Sequence, residues 1–295
     1  MSTAILITNP AAGNGRAART ALRVVDRLRA SGMTVHARFG DGPGATMSLA
    51  QRAAGEPVDM VIVVGGDGSI HDAANGLMRS DRRDCPLGIV PLGSGNDFVK
   101  MLGLGRDWGA ACDRILEGGT RQVDLGRIGD RFFTNGVGMG FDAEVARIAE
   151  RRRWLGSDLM YAAALAQVLI GHRGNPELRI EADGEAWTQR AALVAAANGR
   201  CYGGAFHIAP DASLDDGRLD LLVAGDLGRV GILALVPQVM RGSHLNHPEV
   251  THRAVRELSI SSDRPLVVHA DGEILDTAAT LIELEVVPGA LTVVA

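Results

Sequence analysis

Three times in the first third of the chain, a short apolar run stops abruptly at a glycine-rich turn. AILIT runs into NPAAGNGRA, MVIVV into GGDGS, and PLGIVPL into GSGND. An unbroken Val/Ile/Leu run is what a strand buried on both faces looks like, and such strands belong to parallel sheets covered by helices on either side. Helical spacing fills the intervals. Residues 16–30 put Leu22, Val25 and Leu28 on one side, and residues 46–54 form a second helical stretch. TVHARF reads as a further strand. An α/β domain with a parallel sheet is therefore predicted for residues 1–124, with each glycine turn at a strand's C-terminal end.

Beyond residue 124 the pattern changes to short alternating stretches: QVDLGRI, RFFTNGV, LRIEADGEAWTQ, ALVAAAN, FHIAP, RLDLLVAG, ELSISS, PLVVHA and LIELEVV. Asp183-Gly184 and Asp271-Gly272 are hairpin signals. Residues 125–295 are predicted to form a β-sandwich interrupted by helical stretches at 143–171 and 229–241. The two domains should abut and leave a ligand cleft between them.

The chain has 295 residues and a formal charge of −5, with a single lysine, Lys100, among its cations. That balance lacks the basic face nucleic acid needs, so no nucleic-acid partner is predicted. Cys85, Cys112 and Cys201 are too few and too scattered for a metal knuckle or disulfide framework, which fits a reducing cytoplasm. No apolar run reaches about 18 residues, so no transmembrane helix is expected. The N-terminus does not read as a secretory signal.

Glycine lets backbone amides turn toward an anion, and a helix start behind the turn adds its dipole. Three such turns on one sheet edge suggest a phosphate cradle, although none matches the Walker or dinucleotide fingerprints. Ser69 and Asp72 read as a capping box at the start of a helix. Asp67 and Asp97 are out of place beside phosphates unless a cation intervenes, so they read as Mg²⁺ anchors. His244, His247 and His252 match no ligand spacing and read as a polar loop. Cys201 reads as a small buried residue.

NPAAGNG, VVGGDGSIHDAANGL, PLGSGNDF, VDLG, NGVGMGFDAEV, APDASLDDGRLDLLV and HADGE follow one another along nearly the whole chain. In this order they resemble the diacylglycerol kinase catalytic family in its bacterial soluble branch, which is similar to sphingosine and ceramide kinases. GGDG alone is shared with NAD kinases and phosphofructokinases; GSGNDF joined to DDGRLD and DGE is far more specific. The resemblance implies a two-domain lipid kinase that uses ATP and Mg²⁺. It implies a nucleotide site built from Asn9, Pro10, Gly13, Gly40, Gly65, Gly66, Asp67, Gly68, Ser69, Gly93, Ser94, Gly95, Asn96 and Asp97. It further implies a structural Mg²⁺ held by Asp216 with main-chain oxygens near Ser213 and Arg218. Asp271 or Glu273 would be the base that deprotonates the acceptor hydroxyl. Asp271 is preferred because it opens the DG turn and is the more rigidly held.

The sequence departs from the family at several points. Asn14 stands where some relatives carry lysine, Ser157 where a basic residue is common, and Gly40 where Thr or Ser is frequent. His71 and Asp72 replace an Asn-Glu pair. Arg16, Lys100 or Arg151 to Arg153 are candidates to supply the missing cations. The apolar residues 159–171, with the arginines upstream, suit either a buried helix or an interfacial one that admits a lipid. The expected partner is a lipid substrate at a membrane surface, met by a cytoplasmic protein peripheral to the inner face; a homodimer is left open. Two other readings stand beside this one. An NAD kinase-like small-molecule kinase would carry an Asn-Glu ribose motif in place of GSGNDF. A non-catalytic lipid or nucleotide sensor would not need to keep Asp67, Asp97, Asp271 and Glu273.

Overall fold

The computed structural model describes residues 2–13, 15–150 and 157–295. Asn14 and Arg151 to Arg153 lie outside the described residues. In the first half, β1 (Thr3–Thr8), β2 (Thr34–Phe39), β3 (Met60–Gly65) and β4 (Leu87–Pro91) form a parallel sheet in the order β4-β3-β1-β2. Side chains alternate across it as the strand period requires. Ile5, Ile7, Val61 and Val63 enter one core with α2 (Ala45–Ala54) and α3 (Asp67–Met78). Ala4, Leu6, Ile62 and Val64 enter the other with α1 (Arg16–Ala30) and α5 (Trp108–Glu117). Each fully buried aliphatic side chain here contributes roughly 1.5–3 kcal/mol. A short helix, α4 (Asp97–Met101), follows the third glycine turn.

Helix α1 has the predicted span, but its buried face is Ala17, Ala21, Val24, Val25 and Leu28. Leu22 is exposed. The capping box is also not formed. Helix α3 begins at Asp67, so Ser69 lies inside its first turn instead of capping it. Helices α2 and α3 approach closely at Gly76, where a Cβ would stand 2.3 Å from the Met47 carbonyl oxygen.

The second half is antiparallel. Its strands are β5 (Thr120–Ile128), β6 (Arg131–Phe133), β7 (Gly136–Gly140), β8 (Glu177–Ala182), β9 (Glu185–Arg190), β10 (Leu193–Ala197), β11 (Leu219–Ala224), β12 (Val250–Val255), β13 (Glu257–Ala270) and β14 (Glu273–Val294). The helices are α6 (Phe141–Glu150), α7 (Ser157–Gly171) and α8 (Arg229–Arg241). ELSISS and PLVVHA merge into the single irregular strand β13. FHIAP is not a named strand; Ile208 and Ala209 instead pack in the cluster beneath α8. Both DG pairs make the expected hairpin turns, β8–β9 and β13–β14, with positive φ at both turn residues.

Strand β14 ties the halves together. It pairs with β13, then with β5, and Val293 finally pairs in parallel with Leu87 of β4. Leu291 and Val293 lie in the same core as Ile5 and Val63. The boundary placed at residue 124 falls inside β5, and the end of the chain returns to the first domain.

Candidate active site

The three glycine turns meet at the C-terminal edge of the parallel strands. Gly13, with φ +59°, lies so close to the third turn that a Cβ there would stand 2.6 Å from the Leu92 carbonyl oxygen. Gly66 and Gly93 touch backbone to backbone, and a Cβ on Gly66 would lie 2.7 Å from Gly93 Cα. Glycine is required here by the packing of the turns on one another. Asn9 Oδ1 accepts the Ala11 amide, and Gly40 N–H donates to the Thr8 carbonyl, so both flank the end of β1. Gly65 leaves room for the buried Ser69 side chain, while Gly68 and Ser94 are exposed. Asn96 closes the third turn through two hydrogen bonds with Gly93, at 2.9 and 3.1 Å. The structure thus brings Asn9, Pro10, Gly13, Gly65, Gly66, Asp67, Gly68, Ser69, Gly93, Ser94, Gly95, Asn96 and Asp97 to one edge, with Gly40 beside them.

The two aspartates of this edge differ. Asp67 Oδ1 accepts the Asp97 amide at 2.7 Å and the Phe98 amide at 3.3 Å. Its Oδ2 faces Gly95, 2.8 Å from where a Cβ would stand. Burial, then the neighbouring Asp97 charge, push the Asp67 carboxyl above its usual value. A cation would relieve both effects. Asp97 already has partners: Lys100 Nζ at 2.8 Å on Oδ1 and the Gly204 amide at 2.8 Å on Oδ2. Of the two aspartates expected to serve magnesium, Asp97 is thus engaged on both oxygens, by Lys100 and by the 202–206 turn, whereas Asp67 takes its amide bonds on Oδ1. No cluster of three or more His, Cys, Asp or Glu suited to a metal occurs among the described residues. Asp67 with phosphate oxygens and water is nevertheless a set that magnesium commonly accepts.

Lys100 is engaged by Asp97 and the Gly204 carbonyl. The cations seated on the glycine turns are Arg16, which donates to the Gly13 carbonyl, and Arg106, which donates to the Ser94 carbonyl at 3.0 Å. Arg106 was not singled out in the sequence; it follows the motif by a loop and carries no pattern.

From the other half, the β13–β14 turn reaches α3. Asp271 is fully buried. Its Oδ2 accepts the Thr134 amide at 2.8 Å, the Thr134 hydroxyl at 2.9 Å and His71 Nδ1 at 2.8 Å. Its Oδ1 accepts the amides of Asn135 and Gly136 at 2.8 and 3.0 Å. Burial opposes the charge, but the His71 bond and these amides outweigh it and hold the carboxyl below its usual value. A carboxylate with its lone pairs filled is a poor proton acceptor. Asp271, the residue preferred as base in the sequence, is thus the one whose oxygens are already taken, and these bonds organise the turn. Glu273, two residues on, is 45 % exposed and stands 3.8 Å from His71 Nε2. Asn75 joins α3 to β6 by two bonds to Phe132, and its amide also donates to the His71 carbonyl one turn back in the same helix.

A second buried aspartate escaped the sequence reading. Asp124, in VDLG, accepts the Gly217 and Gly289 amides at 2.7 Å each, and its own amide donates to the Leu214 carbonyl. It closes the acidic loop from within. Around it, Ser213 Oγ donates to Asp215, Asp216 Oδ1 accepts the Arg218 amide, and Asp220 pairs with His252 at 2.7 Å. Ser213, Asp216 and Arg218, the residues expected around a structural Mg²⁺, thus lie on the one loop that Asp124 closes. The three histidines do not form one polar loop: His244 is buried with its ring against the Ile208 carbonyl, His247 accepts the Glu249 amide, and His252 lies on β12. Cys201 is buried, its thiol pushed up to about 12. Asp142 is a further missed residue; Tyr202 and His269 converge on its Oδ2 at 2.8 and 3.2 Å.

Residues 3–128 match the model of the diacylglycerol kinase catalytic domain, and residues 135–295 match that of the YegS C-terminal NAD kinase beta sandwich-like domain. A diacylglycerol kinase of Mycobacterium tuberculosis is 34 % identical over 97 % of this chain and 93 % of its own. One from Bacillus subtilis is 27 % identical over 92 % and 90 %. A crystal structure of a diacylglycerol kinase from Bacillus anthracis superposes with a TM-score of 0.76 at 26 % identity, covering 99 % of this chain and 96 % of that one.

Proposed function

The chain belongs to the diacylglycerol kinase family, a family of phosphotransferases, and from that premise we propose that it moves the γ-phosphoryl group of ATP to the hydroxyl of a diacylglycerol-like lipid. The observation that carries this reading is the placement of an exposed carboxylate, Glu273, on a turn anchored to α3, the helix that starts in the GGDG turn. A phosphate cradle from one domain and a base from the other are what an in-line transfer needs.

The chain's own residues divide the work. The glycine turns present amides to the phosphates, with Arg16 and Arg106 beside them. Asp67 would hold magnesium, which when bound neutralises phosphate charge. Glu273 accepts the proton of the acceptor hydroxyl as that oxygen attacks phosphorus. Asp271 fixes the turn that carries it.

The proposal assigns the acceptor's apolar part to a cavity beside β13. A cavity of about 400 Å³ is lined by Phe141, Ile148, Val168, Leu266 and Val267, with Arg147 and Arg264. Along β13, Val267 lies four residues from Asp271, about 13 Å at strand rise. That is within the reach of a lipid whose chain sits in the cavity and whose hydroxyl meets Glu273. No helix among the described residues is long and apolar enough to cross a membrane. Helix α8 exposes Val230, Leu233 and Met240, with Arg229 and Arg241 at its ends and no carboxylate along it. This supports peripheral contact with an anionic bilayer.

The test is ATP consumption by purified protein against a lipid panel in detergent and in vesicles, with NAD as a competing acceptor. Consumption with diacylglycerol, higher on anionic than neutral vesicles and falling with salt, is expected. Consumption with NAD alone would favour the small-molecule kinase, and none with any acceptor would favour a sensor.

A further inference from the structure

His71 is a fully buried ring that the phosphate cradle does not use. It sits on α3, four residues beyond Asp67, where its ring points away from the glycine turns and toward the β13–β14 hairpin. Because Asp271 stays ionised, the 2.8 Å contact between Asp271 Oδ2 and His71 Nδ1 requires the proton on Nδ1. In the neutral ring Nε2 is then a bare lone pair. Nε2 is buried and has no hydrogen-bond partner among the described residues. A buried polar atom left unpaired is costly, and native structures rarely keep one without use. The carboxylate oxygen it faces is Glu273 Oε2, at 3.8 Å.

We propose that His71 is a proton-holding positioning residue for phosphoryl transfer, its Nε2 taking from Glu273 the proton that Glu273 removes from the acceptor hydroxyl. This rests on the reading of Glu273 as the base. The acceptor O–H bond breaks as its oxygen bonds to the γ-phosphorus. The P–O bond to the leaving ADP breaks and carries its electron pair away. The proton passes through the Glu273 carboxylate to Nε2, and returns through half-exposed Glu273 to water after turnover. The 3.8 Å gap is longer than a hydrogen bond, and a small rotation of the Glu273 side chain closes it, as free-enzyme contacts commonly tighten in the reactive complex.

The surroundings suit a ring that gains charge transiently. Asp271 and Glu273 face it from the hairpin and Asp72 from its own helix, with Arg131 of β6 acting on Asp72. Burial works against an imidazolium here, but the Asp271 bond and charge, then the Glu273 and Asp72 charges, outweigh it and raise the ring above its ordinary 6.5. Nearby carboxylates thus stabilise the proton once it arrives. The ring must be neutral to receive it, so turnover should rise with pH through the raised value. A ring serving only as a strut would set no such limb.

His71→Asn tests this on the full chain. The asparagine amide replaces the Nδ1 donor to Asp271 and deletes Nε2. Turnover of diacylglycerol should fall roughly 10- to 100-fold at its plateau. The acid limb of the rate profile should also move down by at least one pH unit, leaving only a carboxylate titration. In parallel, ¹⁵N NMR of histidine-labelled protein without substrate should show the His71 titration falling in Glu273→Gln. An unchanged acid limb in His71→Asn, or a His71 titration indifferent to Glu273→Gln, overturns the proposal. If His71→Asn does not fold, the NMR arm decides. Wild-type protein that phosphorylates no lipid overturns the functional reading instead, whatever the NMR shows.

Discussion

The GGDG and DGE turns each carry an aspartate largely withdrawn from solvent, and the two are held in opposite ways. Asp67, on the turn before α3, has two amides on one oxygen and a neighbouring carboxylate, and burial raises it above its usual value. Asp271, on the β13–β14 turn, receives five hydrogen bonds and lies below its usual value although it is the more deeply buried. Donor supply, more than burial, decides what a buried carboxylate can do. The starved one suits a cation; the saturated one is a structural anion that orients what surrounds it.

The sharpest way to break this contrast is within the DGE turn itself. Glu273→Gln should cut lipid turnover by roughly 10²–10⁴, the span of a general base. Its stability should stay within about 0.5 kcal/mol, because the side chain is half-exposed. Asp271→Asn should instead destabilise the fold by about 3–5 kcal/mol in urea, since an amide nitrogen would face N–H donors where an anion now accepts. Because the folded Asp271 value is depressed, its contribution is present above the unfolded value and lost as pH falls through the folded one. The deficit of the variant should shrink in acid. If Asp271→Asn is stable and slow while Glu273→Gln is fast, the two roles are reversed.

A smaller effect tests the other aspartate. A carboxyl raised on folding contributes stability below its unfolded value and loses it as pH rises through the folded one. Without magnesium at pH 7, Asp67→Asn should therefore melt higher than wild type; about 1 kcal/mol would read as roughly 2–4 °C. Magnesium with ATP should reverse the order by stabilising the wild type more. A variant that melts lower without magnesium would remove the starved carboxylate from the comparison.

The smallest effect concerns the acidic loop. If Asp216 completes a structural cation site, Asp216→Ala should lose about 1 kcal/mol in magnesium, measured by thermal melting, and less in EDTA. An equal loss with and without chelator would mean that Asp124 holds the loop alone.

Local chemistry alone determined much of this protein. The strands of the parallel sheet, the spans of α1 and α8, both DG hairpins and the three glycine turns were legible because each depends on residues adjacent in sequence. Motif order carried the family. Other features were hidden in segments that look local but are not. The ELSISS and PLVVHA stretches became one strand because β14 pairs along both. Strand β14 itself leaves the second domain to pair with β4, which no turn signal marks.

The surroundings of the carboxylates were decided only by tertiary structure. Asp271 and Glu273 are two residues apart, and the sequence favoured Asp271 only by its place at the opening of the turn. What separates them is supplied from Thr134, Asn135 and Gly136 in one segment and from His71 in the other domain. A carboxylate's basicity is set by the donors and charges around it, and sequence spacing does not reveal which distant groups the fold will bring there.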